Sequence, residues 1–255
     1  MNLLTVLRAE MLKTKRTASF YFTLVVASLI PAIFLLNVLT GGGDLKSISH
    51  DPLNAIFELG AERNGIIFFP MFVILVCTLL PQIEYRNNTW KQVFAAPQTK
   101  GAVFLAKFLN INGLILLFLL ASLFFMLLAI VVTHFYEPAL DLLHQPFNAT
   151  KLLARTSNAY VTMLAVCAFQ FWLGLRFRNF ITPIAVGLGL WITGMMMSFE
   201  FQSSLVDFFP YSFHTFPLIP KLQPKMTQVA WTSAAYATLF LLLGFLDFRR
   251  RSLTA

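Results

Sequence analysis

Charged side chains are scarce in this chain. Asp, Glu, Lys and Arg make up 12% of its 255 residues, whereas a soluble globular domain carries about 25%. So few charges cannot cover the surface of a water-soluble fold, and lipid must be the solvent for much of it. Cysteine is scarcer still, with only Cys77 and Cys167, both in apolar stretches. A disulfide framework needs several Cys in oxidising, water-exposed loops, so both read as small buried hydrophobes. No G-x-x-x-x-G-K-[ST] phosphate loop occurs, which excludes ATP hydrolysis by the P-loop route. The run Gly41-Gly42-Gly43 lacks a following Lys-Ser/Thr and reads as a helix stop and turn. What is abundant is apolar: 58% hydrophobic residues, 28 of them Phe, and a mean hydropathy of +0.73.

A bilayer-spanning helix needs about 20 mostly apolar residues. Six stretches qualify, at 19–39, 66–83, 108–133, 159–175, 180–199 and 229–246. Basic residues precede the first, but its apolar run of 21 residues exceeds a signal-peptide core of about 7–15 residues. No Ala-x-Ala site follows it, so it reads as a retained helix. The expected fold class is all-α and integral to the membrane. It has six transmembrane helices in a single domain over 1–255, with both termini on one side.

The spans lack Asp, Glu, Lys, Arg and His altogether. Ion-coupled transporters usually bind their coupling ion through such groups at the midplane, and intramembrane proteases need catalytic groups at depth. Both classes are disfavoured. Gln170 is the one mid-helix amide, read as an interhelical contact or a substrate contact. All four histidines fall in predicted loops and read as solvated, without a compelling metal-ligand spacing. Neither a metal nor a cofactor is expected. Ala185 with Gly189, with Gly187 and Gly194 close by, and Ala230, Ala234 and Ala237 with Thr238, read as small-residue packing faces.

Lys and Arg set the orientation. With the N-terminus inside, thirteen of the nineteen lie in cytoplasmic segments, and only three acids, Glu10, Glu84 and Asp247, lie there. The net charge of +8 therefore reflects topology and does not call for nucleic acid. Ahead of the first span, Leu3, Leu4, Leu7, Met11 and Leu12 recur at helical spacing, with Arg8, Lys13, Lys15 and Arg16 among or after them. This pattern predicts an amphipathic helix lying in the headgroup plane.

The connection after the second span is longer than a turn requires. It holds Glu84, Arg86, Thr89, Trp90, Lys91, Val93, Phe94, Pro97 and Lys100. Thr89 predicts an N-cap, with Trp90, Val93 and Phe94 on one face of a short helix that Pro97 stops. Aromatic and basic residues there suit docking to a soluble partner or to lipid headgroups.

Taken together, the basic amphipathic start, the six spans and the Glu84, Thr89-Trp90-Lys91, Pro97, Lys100 stretch followed by Lys107 resemble the ABC-2 family of ABC transporter permeases. Within it, the resemblance is to the short bacterial permeases of lantibiotic or bacitracin-type immunity and export. The resemblance implies a bacterial cytoplasmic membrane, pairing with a second permease copy or paralogue, and a separate ATP-binding subunit that carries out hydrolysis. It also makes the stretch from Glu84 to Lys100 the coupling helix, and expects re-entrant or interfacial helices within Glu200–Lys225. Three other readings stay open: an ATP-independent transporter or channel, a membrane enzyme with interfacial catalytic groups, and a membrane-embedded assembly factor.

Overall fold

The computed structural model describes residues 3–15, 17–41, 51–95 and 97–250, with Phe94 described in its backbone alone. Helix makes up 86% of it, and no strand occurs among the described residues. A first helix, α1 (Leu3–Lys15), precedes the spans. Six helices are long and apolar enough to cross a membrane: α2 (Ala18–Leu39), α3 (Pro52–Arg86), α5 (Lys100–Tyr136), α6 (Ala149–Arg176), α7 (Ile181–Glu200) and α8 (Gln223–Arg250). Between α3 and α5 lies the short α4 (Trp90–Ala95). The chain is an all-α, multi-pass membrane protein.

Several helices run well beyond their apolar stretches, because capping side chains start them earlier. The Asp51 carboxylate accepts from the Asn54 backbone N–H, and Pro52 occupies the first turn of α3, where its missing N–H costs nothing. Leu53, Ile56, Phe57 and Gly60 then recur at helical spacing and are buried. The charges of Glu58, Glu62 and Arg63 between them mask this turn-by-turn pattern in hydropathy. A π-helical turn at Asn64–Phe68 joins it to the apolar part of α3. Thr99 caps α5 and Asn148 caps α6, each accepting from the backbone N–H three residues on.

Consecutive spans run in opposite directions, and polar contacts tie one end of the bundle together. The Tyr85 hydroxyl donates to the Leu175 carbonyl at 2.6 Å, and the Gln82 amide donates to the carbonyls of Gly174 and Phe177. Lys100 Nζ donates to the Arg249 carbonyl at 3.0 Å, and Arg176 pairs with Asp247 at 3.0 Å. We call this the basic end. At the centre, α3 and α5 interlock through aromatic rings: Phe118 stacks on Phe72 with centroids 4.4 Å apart, and on Phe69 at 5.7 Å. Around this core α2 packs on α5, and α6 packs on both α3 and α8.

Two sequence expectations meet a different arrangement here. Ala185 and Gly189 are exposed on α7, whereas Gly187 and Gly194 are the buried contacts. Period alone cannot tell which side of an almost wholly apolar helix meets protein. The histidines also divide. His144 is exposed and pairs with Asp141, whereas His214 is only 4% exposed and lies against the Met195 sulfur at 3.3 Å. The segment between α7 and α8 is built of 3-10 turns at Ser204–Asp207 and Pro210–Thr215, and residues 211–217 fold back into the bundle. Tyr211, Phe213 and Phe216 carry His214 inward with them. His50 lies outside the described residues.

Candidate functional site

The buried charges lie at the basic end, one residue beyond the apolar stretches of α3 and α5. Lys107, on the second turn of α5, is 4% exposed, and Glu84, near the end of α3, is 3% exposed. They pair at 2.5 Å. Lys107 also pairs with Glu10 of α1 at 2.8 Å, so one buried cation serves two buried carboxylates. Lys13, half exposed, closes the group by reaching Glu10 at 2.8 Å and Glu84 at 3.4 Å. Two cations thus face two anions. This balance allows the charges to be buried, because an isolated ion in the interior is far too costly.

Helix α1 reaches this site through a stripe of its own. Val6, Glu10 and Thr14 are its buried residues, one turn apart, and they lie on α5. Thr14 accepts from the Asn110 amide at 2.6 Å, one turn beyond Lys107. Leu4 and Met11 point away from the protein, at 76% and 55% exposed. Arg8 and Lys15 are exposed, and Leu7 is partly buried against the core. Helix α1 therefore has a polar-tipped face against the protein and an exposed face that carries Leu4 and Met11 beside Arg8 and Lys15.

Helix α4 joins the same group from the other side. The turn into it uses Asn88 at φ 53°, a left-handed conformation that Asn tolerates better than most residues. Thr89 stands just before the helix, and its carbonyl accepts from the Val93 N–H. The Trp90 ring lies 5.6 Å from Lys107 Nζ, 5.4 Å from the Tyr85 ring and 5.8 Å from that of Phe248. Trp90 thereby touches α3, α5 and α8 at once. Its neighbours Lys91, Gln92 and Ala95 are exposed, Val93 is half-buried, and Arg86 and Pro97 are exposed. So α4 has an anchored side and a free side.

Glu10 shows the electrostatic balance. Burial opposes its charge, but the Lys107 cation and hydrogen bonds from Lys107 and Lys13 outweigh burial and hold its pKa below the usual value. Burial likewise opposes the Lys13 charge, and Glu10 and Glu84 outweigh it, raising the Lys13 pKa. A depressed carboxylate stabilises the fold above its unfolded pKa, and that contribution fades as pH falls through the folded value. Wild type should therefore melt well above Glu10→Gln at neutral pH. The gap should close on acidification below the ordinary carboxylate pKa of about 4.3. Thermal unfolding of both proteins across pH 3–7 checks this, and a gap independent of pH would refute it.

Of the other sequence candidates, Gln170 sits away from this end and is fully buried. Its amide donates to Thr78 and to the Pro183 carbonyl, and accepts from the Tyr211 hydroxyl at 2.9 Å. All of this ties helices together. Glu10, Thr14, Tyr85 and Asn110 were not singled out as site residues. The signal for Glu10 was present, since only three acids lie at the basic end, and each is paired with Lys or Arg.

Among the described residues no three His, Cys, Asp or Glu side chains gather as a metal site. No curated protein matches the chain. The family model for ABC-2 family transporter proteins matches residues 6–194, from the buried stripe of α1 to Gly194 on α7, and the chain belongs to that family.

Proposed function

We propose that this chain is the membrane subunit of an ABC exporter, moving an amphipathic or peptide-antibiotic-like substrate outward. A separate ATP-binding subunit drives it, docked on the free side of α4. The observation that carries this reading is the junction at Lys107. A push on α4 is received by Trp90 and passed to α5 through Lys107, to α3 through Glu84 and to α1 through Glu10. An ATPase needs a rigid handle of this kind, because its stroke must reach several spans together. Membership of the ABC-2 family supports an ATP-binding partner. In this reading the basic end and both termini face the cytoplasm of a bacterium, following the bias of Lys and Arg. A second copy or a paralogue completes the transporter.

The test is a pull-down of the detergent-solubilised protein from its native host, wild type against a Trp90→Ala/Lys91→Glu double variant. Wild type should retain an ATP-binding subunit, and the variant should lose it while eluting as a folded protein. If neither brings an ATPase under gentle conditions, a passive channel or an assembly factor becomes the better reading.

A further inference from the structure

At the far end of the bundle, a cleft runs between the π-helical turn of α3, the middle of α5 and the start of α6. Its volume is about 50 Å³, too little for an acyl chain or for a solute of more than a few atoms. At about 10–15 Å³ for each water, it has room for about three. Much of the wall is apolar, from Phe57, Phe69, Leu119 and Met126 among others. A wholly apolar cavity of this size would stay dry, because a buried water needs about two to four polar partners.

Polar side chains interrupt this wall. Asn64, Ser122, Arg155 and Thr156 also line the cleft, from three different helices. Asn64 is 7% exposed and binds Ser122 through one amide atom at 2.8 Å, while the other, assigned as Oδ1, has no hydrogen-bond partner among the described residues. Turning the amide over exchanges the roles and still leaves one atom unmet. The Ser122 hydroxyl accepts from Asn64 and keeps its own proton to donate. Arg155 Nε is buried and likewise unmet among the described residues. Its guanidinium lies 3.9 Å from Glu58, a carboxylate already paired with Lys151 at 2.5 Å. Buried polar groups almost always find partners, in protein or in ordered water. Here the unmet atoms, the polar stretch of wall and the size of the space all call for water.

We propose that this cleft is an internal hydration site, where about three waters hydrogen-bond to Asn64, Ser122 and Arg155 and so join α3, α5 and α6. The same waters reach the Met126 side chain, which lines the cleft and is only 4% exposed. Met163 gives an internal standard: it is 2% exposed, packed in the central core, and does not line the cleft. The site lies at the opposite end from the Lys107 junction and does not depend on the transport reading.

The full-length protein in nanodiscs is exposed to brief X-ray pulses, which split bound water into hydroxyl radicals where it lies. Methionine sulfoxide is then quantified at each Met by mass spectrometry. Met126 should oxidise several times faster than Met163, although both are buried. A bulk radical scavenger should leave the Met126 signal in place, because radicals born in the cleft reach the sulfur first. These two readouts use the wild-type protein alone. Asn64→Leu, which replaces the amide with hydrocarbon of similar size, should lower Met126 oxidation several-fold and leave Met163 unchanged. Equal, slow oxidation of Met126 and Met163 overturns the proposal, as does a Met126 signal that the scavenger abolishes or that Asn64→Leu leaves unchanged.

Discussion

Replacing Lys107 with Met is expected to destabilise the protein by about 3–5 kcal/mol, the range for stripping one partner from a buried ion pair. Two carboxylates lose their shared cation together. Glu10 and Glu84 would remain in a site where their side chains are 9% and 3% exposed, with only the half-exposed Lys13 in reach. The ring of Trp90 would lose the cation beside it as well, a further contribution of about 0.5–2 kcal/mol. The response to pH should reverse. In wild type the paired Glu10 favours the fold at neutral pH and ceases to do so in acid. In Lys107→Met, two carboxylates are buried with too little compensating charge, so protonation relieves them and stability should rise as pH falls. Adding Glu10→Gln and Glu84→Gln to Lys107→Met should recover most of the loss, since it is the imbalance that costs and not the absence of charge. Thermal unfolding of the single and triple variants across pH 4–8 checks this. A single variant that melts like wild type, or a triple variant no better than the single, would refute it. The triple variant has a second use. If it folds but no longer couples ATP hydrolysis to transport, the charges serve transmission as well as stability.

The membrane class and the number of spans were legible in the sequence, because bilayer thickness turns a hydropathy run into a helix with little ambiguity. Where each helix begins was less legible. Asp51, Thr99 and Asn148 start α3, α5 and α6 in polar sequence, and a capping signal is weak beside a strong hydropathy signal. Which side of an apolar helix meets protein was not legible: of the four small residues read on α7, Gly187 and Gly194 meet protein and Ala185 and Gly189 do not. At the candidate site the aromatic and basic character of α4 could be read directly. The pairing of Lys107 with Glu10 could not, since 97 residues separate them and only the docking of α1 on α5 brings them together. For the same reason the burial of Asn64 and the half-burial of Arg155 left no trace in sequence. Asn64 and Arg155 are ordinary loop-type residues until the cap at Asn148 and the helical run from Pro52 carry them into the bundle.

Gly194→Leu should cost at least the 1–3 kcal/mol usual for overpacking a tight core, while Gly189→Ala on the same helix should be neutral or stabilising. The difference lies in what each Cβ would meet. At Gly194 it would stand 2.7 Å from the Tyr211 carbonyl carbon and 3.0 Å from the Ser212 nitrogen. These are backbone atoms, so no side chain can turn aside and the turn at Pro210–Thr215 must move. That turn is pinned in several places: Tyr211 donates to Gln170, Ser212 to the Val206 carbonyl, and Thr215 to Ser198. Moving it breaks bonds between buried groups, which cannot turn to water for replacement. At Gly189 a Cβ would have nothing within 4 Å, and the change from Gly to Ala gains up to about 1 kcal/mol of helix propensity. Unfolding of both variants in the same detergent measures the contrast. Gly194→Leu melting with wild type would mean that the turn is loosely held and that Gln170 does not depend on Tyr211. A clear drop confined to Gly194→Leu would establish α7 as the strut against which the far-end segment is built.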